Sequence, residues 1–281
     1  MPKKVRFNID GINYSHTLDE RPDPDESVMH AHDGYEILYF ISGHGSYHVE
    51  STTYPLRPGC ALLMRPGEVH KLSINPDTPY ERVVIQFDDR TIAANSHLHE
   101  TLLDPFNDRP LGTGNQFTPE EYDSRFVMQY WQRIEHIGAD IEGSVYVRTA
   151  LPAILAEFHY SFHHRRRQAQ DDGNRSLIQE ILAYVNSHLY DDLSLEKLCA
   201  TFYISKTQLG RLFRHATGST TWDYILVKRL IEARRMILSG TPATQAAVNC
   251  GFRDYSAFYR AYKKRYAISP AAERGLLLKQ R

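Results

Sequence analysis

The stretch His30-Ala-His32-Asp-Gly-Tyr-Glu36 sets two imidazoles two residues apart and a carboxylate four residues further on. On an extended strand, residues i and i+2 project to one face, so the two imidazoles share a side. Nitrogen and oxygen donors grouped this way suit either a transition metal or a polar small molecule. A different chemistry gathers near the C-terminus, where one helical pattern turns Lys206, Thr207, Arg211 and Arg214 outward and a second turns out Tyr255, Ser256, Arg260, Lys263 and Lys264. A guanidinium can grip a guanine edge with two parallel hydrogen bonds, and an ammonium suits a phosphate.

The elements that must position these groups are legible in outline. Residues 28–87 carry short apolar, aromatic and β-branched runs (EILYFI, GSYHVE, ALLM, RVVIQF) separated by DG, SGHG, RPG and NPDTP, the punctuation of an antiparallel barrel or sandwich. Residues 88–118 are irregular and complete a first domain, 1–118. From Pro119 the period lengthens. Phe126, Tyr130, Trp131 and Ile134, then Leu151, Ile154, Leu155 and Phe158, follow helical spacing and predict a helical hairpin over 119–162. It exposes more apolar surface than one small barrel covers, which points to dimerisation; the plainer alternative is that it seals the barrel. The polar stretch HHRRRQAQDDGNR, 163–175, reads as a linker, its three arginines as a solvated linker or helix end, with a nucleic-acid patch as the competing reading.

Beyond it, in a domain spanning 176–281, a short helix, a break and a second helix occur twice, over 193–218 and 241–266, joined by one long helix. In the first unit Ser205 and Gln208 form a capping box, with Leu209, Leu212 and Phe213 inside; in the second, Phe258, Ala261 and Tyr262 lie inside. Two helix-turn-helix units so joined would enter successive major grooves about 34 Å apart.

Composition supports this division. The chain has 281 residues, 42% hydrophobic, enough for two packed cores. Its net charge of −1 hides a split: 17 Lys and Arg against 8 Asp and Glu from Arg175 onward give +9, and 16 against 26 before it give −10. A polyanion is the expected partner of the second half alone. No run of 18 apolar residues and no apolar leader is present, so a cytoplasmic location without membrane attachment is expected. Cys60, Cys199 and Cys250, odd in number and far apart, read as reduced, buried thiols.

The C-terminal motifs S-x-x-x-L-x-R-L-F (Ser205 to Phe213), R-L-I-E-A-R, and G-F-x-D-x-S-x-F-x-R-x-Y-K-K followed by S-P-x-x-x-R at Arg274 resemble the DNA-binding domain of AraC/XylS-family transcription regulators. Departures are Ala243 and Ala246 where the family usually has isoleucines, Ala267 for glycine, Glu273 for tyrosine, and Gly210 at a position often used to touch bases. The alanines predict looser packing of the second unit, and Gly210 shifts base reading to Arg211 and Thr207.

The N-terminal stretch resembles the cupin superfamily in both of its signatures, His-x-His-x3-Glu-x6-Gly and Gly59 to His70. The resemblance implies that His30, His32, Glu36 and His70 converge inside a barrel, a set suited to zinc, iron, nickel or manganese. Together the two resemblances imply an α+β chain: a cupin-like barrel with a helical hairpin, and an all-α double helix-turn-helix. The implied function is a ligand-responsive transcription factor, not an enzyme, with no cofactor and no metal ligand. Its expected partners are double-stranded DNA, a sugar-like effector held by His30, His32, Glu36, His70 and Tyr39, RNA polymerase, and a second copy of the chain. Tyr47, Arg57 and Arg65 are further pocket candidates. The competing implication is a metal-dependent cupin dioxygenase or isomerase fused to a DNA-binding module.

Overall fold

Period-two alternation organises the N-terminal half of the chain. The structure, a computed structural model, describes residues 4–9, 11–23, 28–92, 100–137, 141–168, 177–191 and 193–278. These fall into two compact units, residues 1–174 and 175–281. Among the described residues no helix is long and apolar enough to cross a membrane.

In the first unit the strands are β1 (Lys4–Ile9), β2 (Ile12–Asp19), β3 (Tyr35–Ser42), β4 (Gly45–Val49), β5 (Thr52–Pro55), β6 (Ala61–Met64), β7 (His70–Ile74), β8 (Tyr80–Phe87) and β9 (Gln116–Phe117). They form a six-stranded antiparallel sheet in the order β1-β2-β8-β3-β6-β9 and a three-stranded one, β5-β4-β7. The expected barrel is therefore corrected: among the described residues the strands make two sheets and no closed cylinder. The large sheet is covered on both faces, which is why ILYFI, residues 37–41, reads as an unbroken apolar run. Its Leu38, Phe40 and Leu62 pack with Tyr47, Val49 and Leu72 of the small sheet. Its Ile37, Tyr39, Leu63, Val83 and Ile85 pack the other way, against helices.

Those helices are α1 (Asp104–Asn107), α2 (Ser124–Ile137) and α3 (Ile141–Gln168). The inner stripe of α2 is Val127, Trp131 and Ile134, with Phe126 and Tyr130 only partly buried. From α3, Leu151, Ile154, Leu155 and Phe158 enter the same core. Each such side chain contributes about 1.5–3 kcal/mol by leaving water. The inner stripes of the hairpin thus pack against the sheet. The helix α3 also runs through Gln168, so the first residues of the expected linker are helical; residues 169–176 lie outside those described. Arg165, read as solvated, instead donates to the Gln116 carbonyl at 2.9 Å and the Gly114 carbonyl at 3.1 Å.

The second unit is all helical: α4 (Leu177–Ser187), α5 (Leu195–Phe202), α6 (Lys206–Thr217), α7 (Thr221–Leu238), α8 (Ala243–Asn249), α9 (Tyr255–Tyr266) and α10 (Pro270–Leu278). Side-chain oxygens of Ser194, Ser205, Thr220 and Asp254 accept from the first-turn N–H groups of α5, α6, α7 and α9, fixing where each begins. The break after α8 needs Gly251, at φ +75°, because a Cβ there would stand 2.8 Å from the Arg229 guanidinium. Arg229 in turn donates to the Leu189, Asp191 and Gly251 carbonyls, pinning the turn to α7.

Around α8, where looser packing is expected, Ala246 and Ala247 are buried and Ala243 is partly so. Ala246 is fully buried beside Leu230, Ala233, Ile237, Phe258 and Tyr262, small side chains that let α8 lie against α7. Glu273 is buried too, accepting Arg234 Nε at 2.9 Å, Arg234 Nη2 at 2.6 Å and the Tyr262 hydroxyl.

Candidate ligand cavity and nucleic-acid interface

In the first unit an antiparallel bridge sets His30 opposite His70: His30 N donates to the His70 carbonyl at 2.9 Å, and His70 N to the His30 carbonyl at 2.7 Å. Directly opposed residues project to the same side, and the two rings stand 4.4 Å apart, with His32 4.9 Å from His30 and 5.2 Å from His70. Glu36, on β3, brings Oε2 to 2.8 Å from His32 Nε2 and Oε1 to 3.8 Å from His70 Nε2. The four residues expected to converge do so.

Gln86 from β8, absent from the sequence expectation, donates to Glu36 Oε2 at 2.8 Å and stands 3.0 Å from His32 Nε2. Burial alone would raise the Glu36 carboxyl, but the hydrogen bond to His32, the electrostatic pull of the His70 and His32 rings and the Gln86 amide together hold it well below its usual range. Burial, reinforced by His70 and His32, pushes His30 down to about 3, and burial also lowers His70. Both rings are therefore neutral near pH 7.

Their tautomers are set by backbone. His30 Nδ1–H donates to the Val28 carbonyl at 2.8 Å and His70 Nδ1–H to the Glu68 carbonyl at 2.9 Å, which leaves each Nε2 as a lone pair. His70 Nε2 is buried with no hydrogen-bond partner. The ligating atoms of His30, His32 and His70 lie within 4.8 Å of one another. This donor set fits a divalent cation; one held there would offer a Lewis-acidic position to a ligand oxygen.

His30, His32, Glu36 and Gln86 line a cavity of about 1030 Å³, walled also by Leu38, Tyr47, Leu72, Tyr80, Arg82 and Val84, whereas His70 is buried and is not part of the lining. Burial works against the Arg82 charge, yet the Tyr80 and Tyr47 hydroxyls and Glu36 keep it protonated, above its usual range. Arg82 Nη1 donates to the Tyr80 hydroxyl at 3.2 Å.

In the second unit every residue proposed to face DNA is exposed: Lys206, Thr207, Arg211 and Arg214 on α6, and Tyr255, Ser256, Arg260, Lys263 and Lys264 on α9. Lys206 Nζ is paired with the Glu196 carboxylate of α5, an exposed contact of small worth that a phosphate can displace. A Cβ on Gly210 would meet nothing within 4 Å. The connecting helix α7 has 18 residues, a length of ~27 Å.

Two family models match the chain in this order. An AraC-like ligand binding domain covers residues 14–110 and a helix-turn-helix domain residues 198–275, together more than half of the chain. The chain belongs to the AraC family of transcription regulators.

Among relatives of this AraC-family regulator, the HTH-type transcriptional regulator YfiF of Bacillus subtilis is 23% identical over 254 residues, covering 89% of the chain and 79% of YfiF. The HTH-type transcriptional activator RhaS of Escherichia fergusonii is 21% identical over 242 residues, covering 86% of the chain and 85% of RhaS. The DNA-binding domain of AdpA, solved with a target DNA, is 29% identical, covering 36% of the chain and 93% of that domain, with a TM-score of 0.35. The relatives are regulators and not enzymes, as expected of this chain.

Three pocket candidates of the regulator need correction. Tyr39 points away from the cavity into the helix-facing core, its hydroxyl donating to the Ser124 carbonyl at 3.5 Å. Strand parity already forbids it, since residue 39 cannot share a face with Glu36. Arg65 donates to the Asn107 and Arg109 carbonyls, each at 3.1 Å, and neither it nor Arg57 lines the cavity. Tyr47 does. The first hairpin, β1 and β2, was missed although Asp10-Gly11 between alternating residues is a strong hairpin signal. It supplies Asn13, Ser15 and Thr17 to the cavity rim.

Proposed function

We propose that the cavity binds a sugar or sugar derivative and that its occupancy governs engagement of DNA by α6 and α9. The observation that carries this reading is the lining itself. Imidazoles, a carboxylate, a guanidinium and an amide converge on one side, suited to hydroxyls that both donate and accept. Tyr47 and Tyr80 add aromatic surface to the lining, and the volume admits a ligand of that class. The effector acts by binding two conformational populations unequally. In our reading the unit boundaries are 1–118 for sensing, 119–162 for the hairpin and 176–281 for DNA. The regulator acts in the cytoplasm as a homodimer through the outer side of the hairpin, where Val145 and Tyr160 are exposed, and as an activator in contact with RNA polymerase. Activation is supported by the name of RhaS.

In reading DNA, Arg211 and Arg260 supply paired hydrogen bonds to guanine, with Thr207, Tyr255 and Ser256 beside them, while Lys206, Arg214, Lys263 and Lys264 neutralise phosphates. The test is selection of fragmented genomic DNA by the full-length protein at physiological salt, with Arg211→Ala and Arg260→Ala in parallel. Enrichment of a few promoter fragments by the wild type alone, shifted by one member of a panel of monosaccharides, supports the reading. Equal, salt-sensitive recovery of random DNA by all three proteins, unmoved by any sugar, would overturn it.

A further inference from the structure

Away from the cavity, a second group of metal-ligating side chains lies where α1 meets α3. His159 and His163 are one helical turn apart on α3, and residues at i and i+4 share a helix face. Asp104 opens α1 and faces them both: Oδ2 stands 3.2 Å from His163 Nε2 and 3.8 Å from His159 Nδ1. The two rings are 4.4 Å apart, and one ligating atom from each of the three residues lies within 4.8 Å of the others. His159 Nδ1 is shielded from solvent and has no hydrogen-bond partner. All three side chains keep about a third of their surface exposed, so water can complete a coordination sphere.

We propose that Asp104, His159 and His163 form a binding site for a divalent transition-metal ion of the zinc class. Two imidazoles and a carboxylate on one side, with a fourth position open to water, is a ligand set that zinc accepts in tetrahedral geometry. The i, i+4 histidine pair presents both rings from one rigid element, so little ordering is needed on binding. The ion gives His159 Nδ1 the partner it lacks.

The consequence reaches the cavity. Just beyond Asp104, Arg109 Nε donates to the Pro105 carbonyl at 2.9 Å while its guanidinium holds Glu68 through two contacts of 2.8 Å. The Glu68 carbonyl in turn orients His70. A metal ion at Asp104 therefore fastens the segment that supports the cavity to the helical hairpin.

The test is titration of chelator-treated, full-length protein with Zn2+ by isothermal calorimetry. In a His30→Gln, His32→Gln background, which disables the histidine cluster of the cavity, one saturable Zn2+ equivalent is expected. Adding His163→Gln, or separately Asp104→Asn, weakens it more than about tenfold. In the otherwise wild-type protein the same two substitutions remove one zinc equivalent, so the result does not depend on the folding of the background variant. Absence of saturable binding in a folded background protein, or affinity unchanged by both added substitutions, would overturn the proposal.

Discussion

Glu68 is fully buried, and its carboxylate is satisfied by two Arg109 contacts, the Gly112 N–H at 2.8 Å and the Asn115 amide at 2.9 Å. Burial would raise this carboxyl; the Arg109 hydrogen bonds and charge keep it below its usual range. Removing one partner of a buried pair leaves the other charge stranded. Arg109→Ala should therefore cost about 3–5 kcal/mol in urea unfolding of the full chain; a loss under about 1 kcal/mol would show that water repairs the site. At the end of α9, Ala267 adopts φ +57°, a left-handed conformation that glycine takes without steric cost. Ala267→Gly should raise stability by about 1 kcal/mol, read as a higher thermal midpoint. The thiols give a pH-dependent case. Cys60 and Cys250 are fully buried, and burial, with the Glu232 charge adding to it, pushes Cys250 up to about 12. Below that pH the native thiol stays protonated and unreactive. At pH 8 a chromogenic disulfide reagent should label at most Cys199 in the native protein and all three cysteines after unfolding. Rapid labelling of Cys250 in the folded protein would contradict its burial.

Strands and helices here do two jobs with opposite faces. On β3 and β8, one face feeds the helix-backed core and the other carries Glu36, Arg82 and Gln86 toward the cavity. A one-residue slip of either strand would exchange the two sets, so the register Glu36↔Gln86 decides which side chains reach the cavity. On α6 the division is between Leu209 and Phe213, buried, and Arg211 and Arg214, exposed. Leu209→Ala should cost about 2–5 kcal/mol of stability, whereas Arg211→Ala should leave the thermal midpoint in place and remove about 1–3 kcal/mol of discrimination at one base pair. A variant set in which both lose stability equally would place Arg211 in the fold instead of on the reading face. Gly210 stands open in mid-helix; a side chain there meets no obstacle within the unit.

At the scale of the whole molecule the charge is partitioned, −10 before Arg175 and +9 from it onward. Binding to a polyanion then belongs to the second unit, and its salt dependence counts the phosphates neutralised. The slope of log affinity against log salt should become shallower by about 2 when Lys263 and Lys264 are both replaced by alanine, with little change in sequence preference. An unchanged slope would move the phosphate contacts elsewhere on the unit.

Much of this regulator was legible in the chain because it is written in local rules. Cap residues and apolar stripes specify the two helix-turn-helix units within about 25 residues each, with a glycine break, Gly251, in the second. The exposed polar faces of α6 and α9 follow from helical period alone. The two cupin-like signatures brought His30, His32, Glu36 and His70 together on paper, and strand parity would have removed Tyr39. What the tertiary structure decided depends on pairings between distant segments. The bridge of His30 to His70, the arrival of Gln86 and Arg82 from β8, the two open sheets in place of a barrel, and the meeting of Asp104 with His159 and His163 all join residues far apart in sequence. Local propensity carries no information about which strand will lie beside which; that choice is made by burying both faces of the large sheet at once.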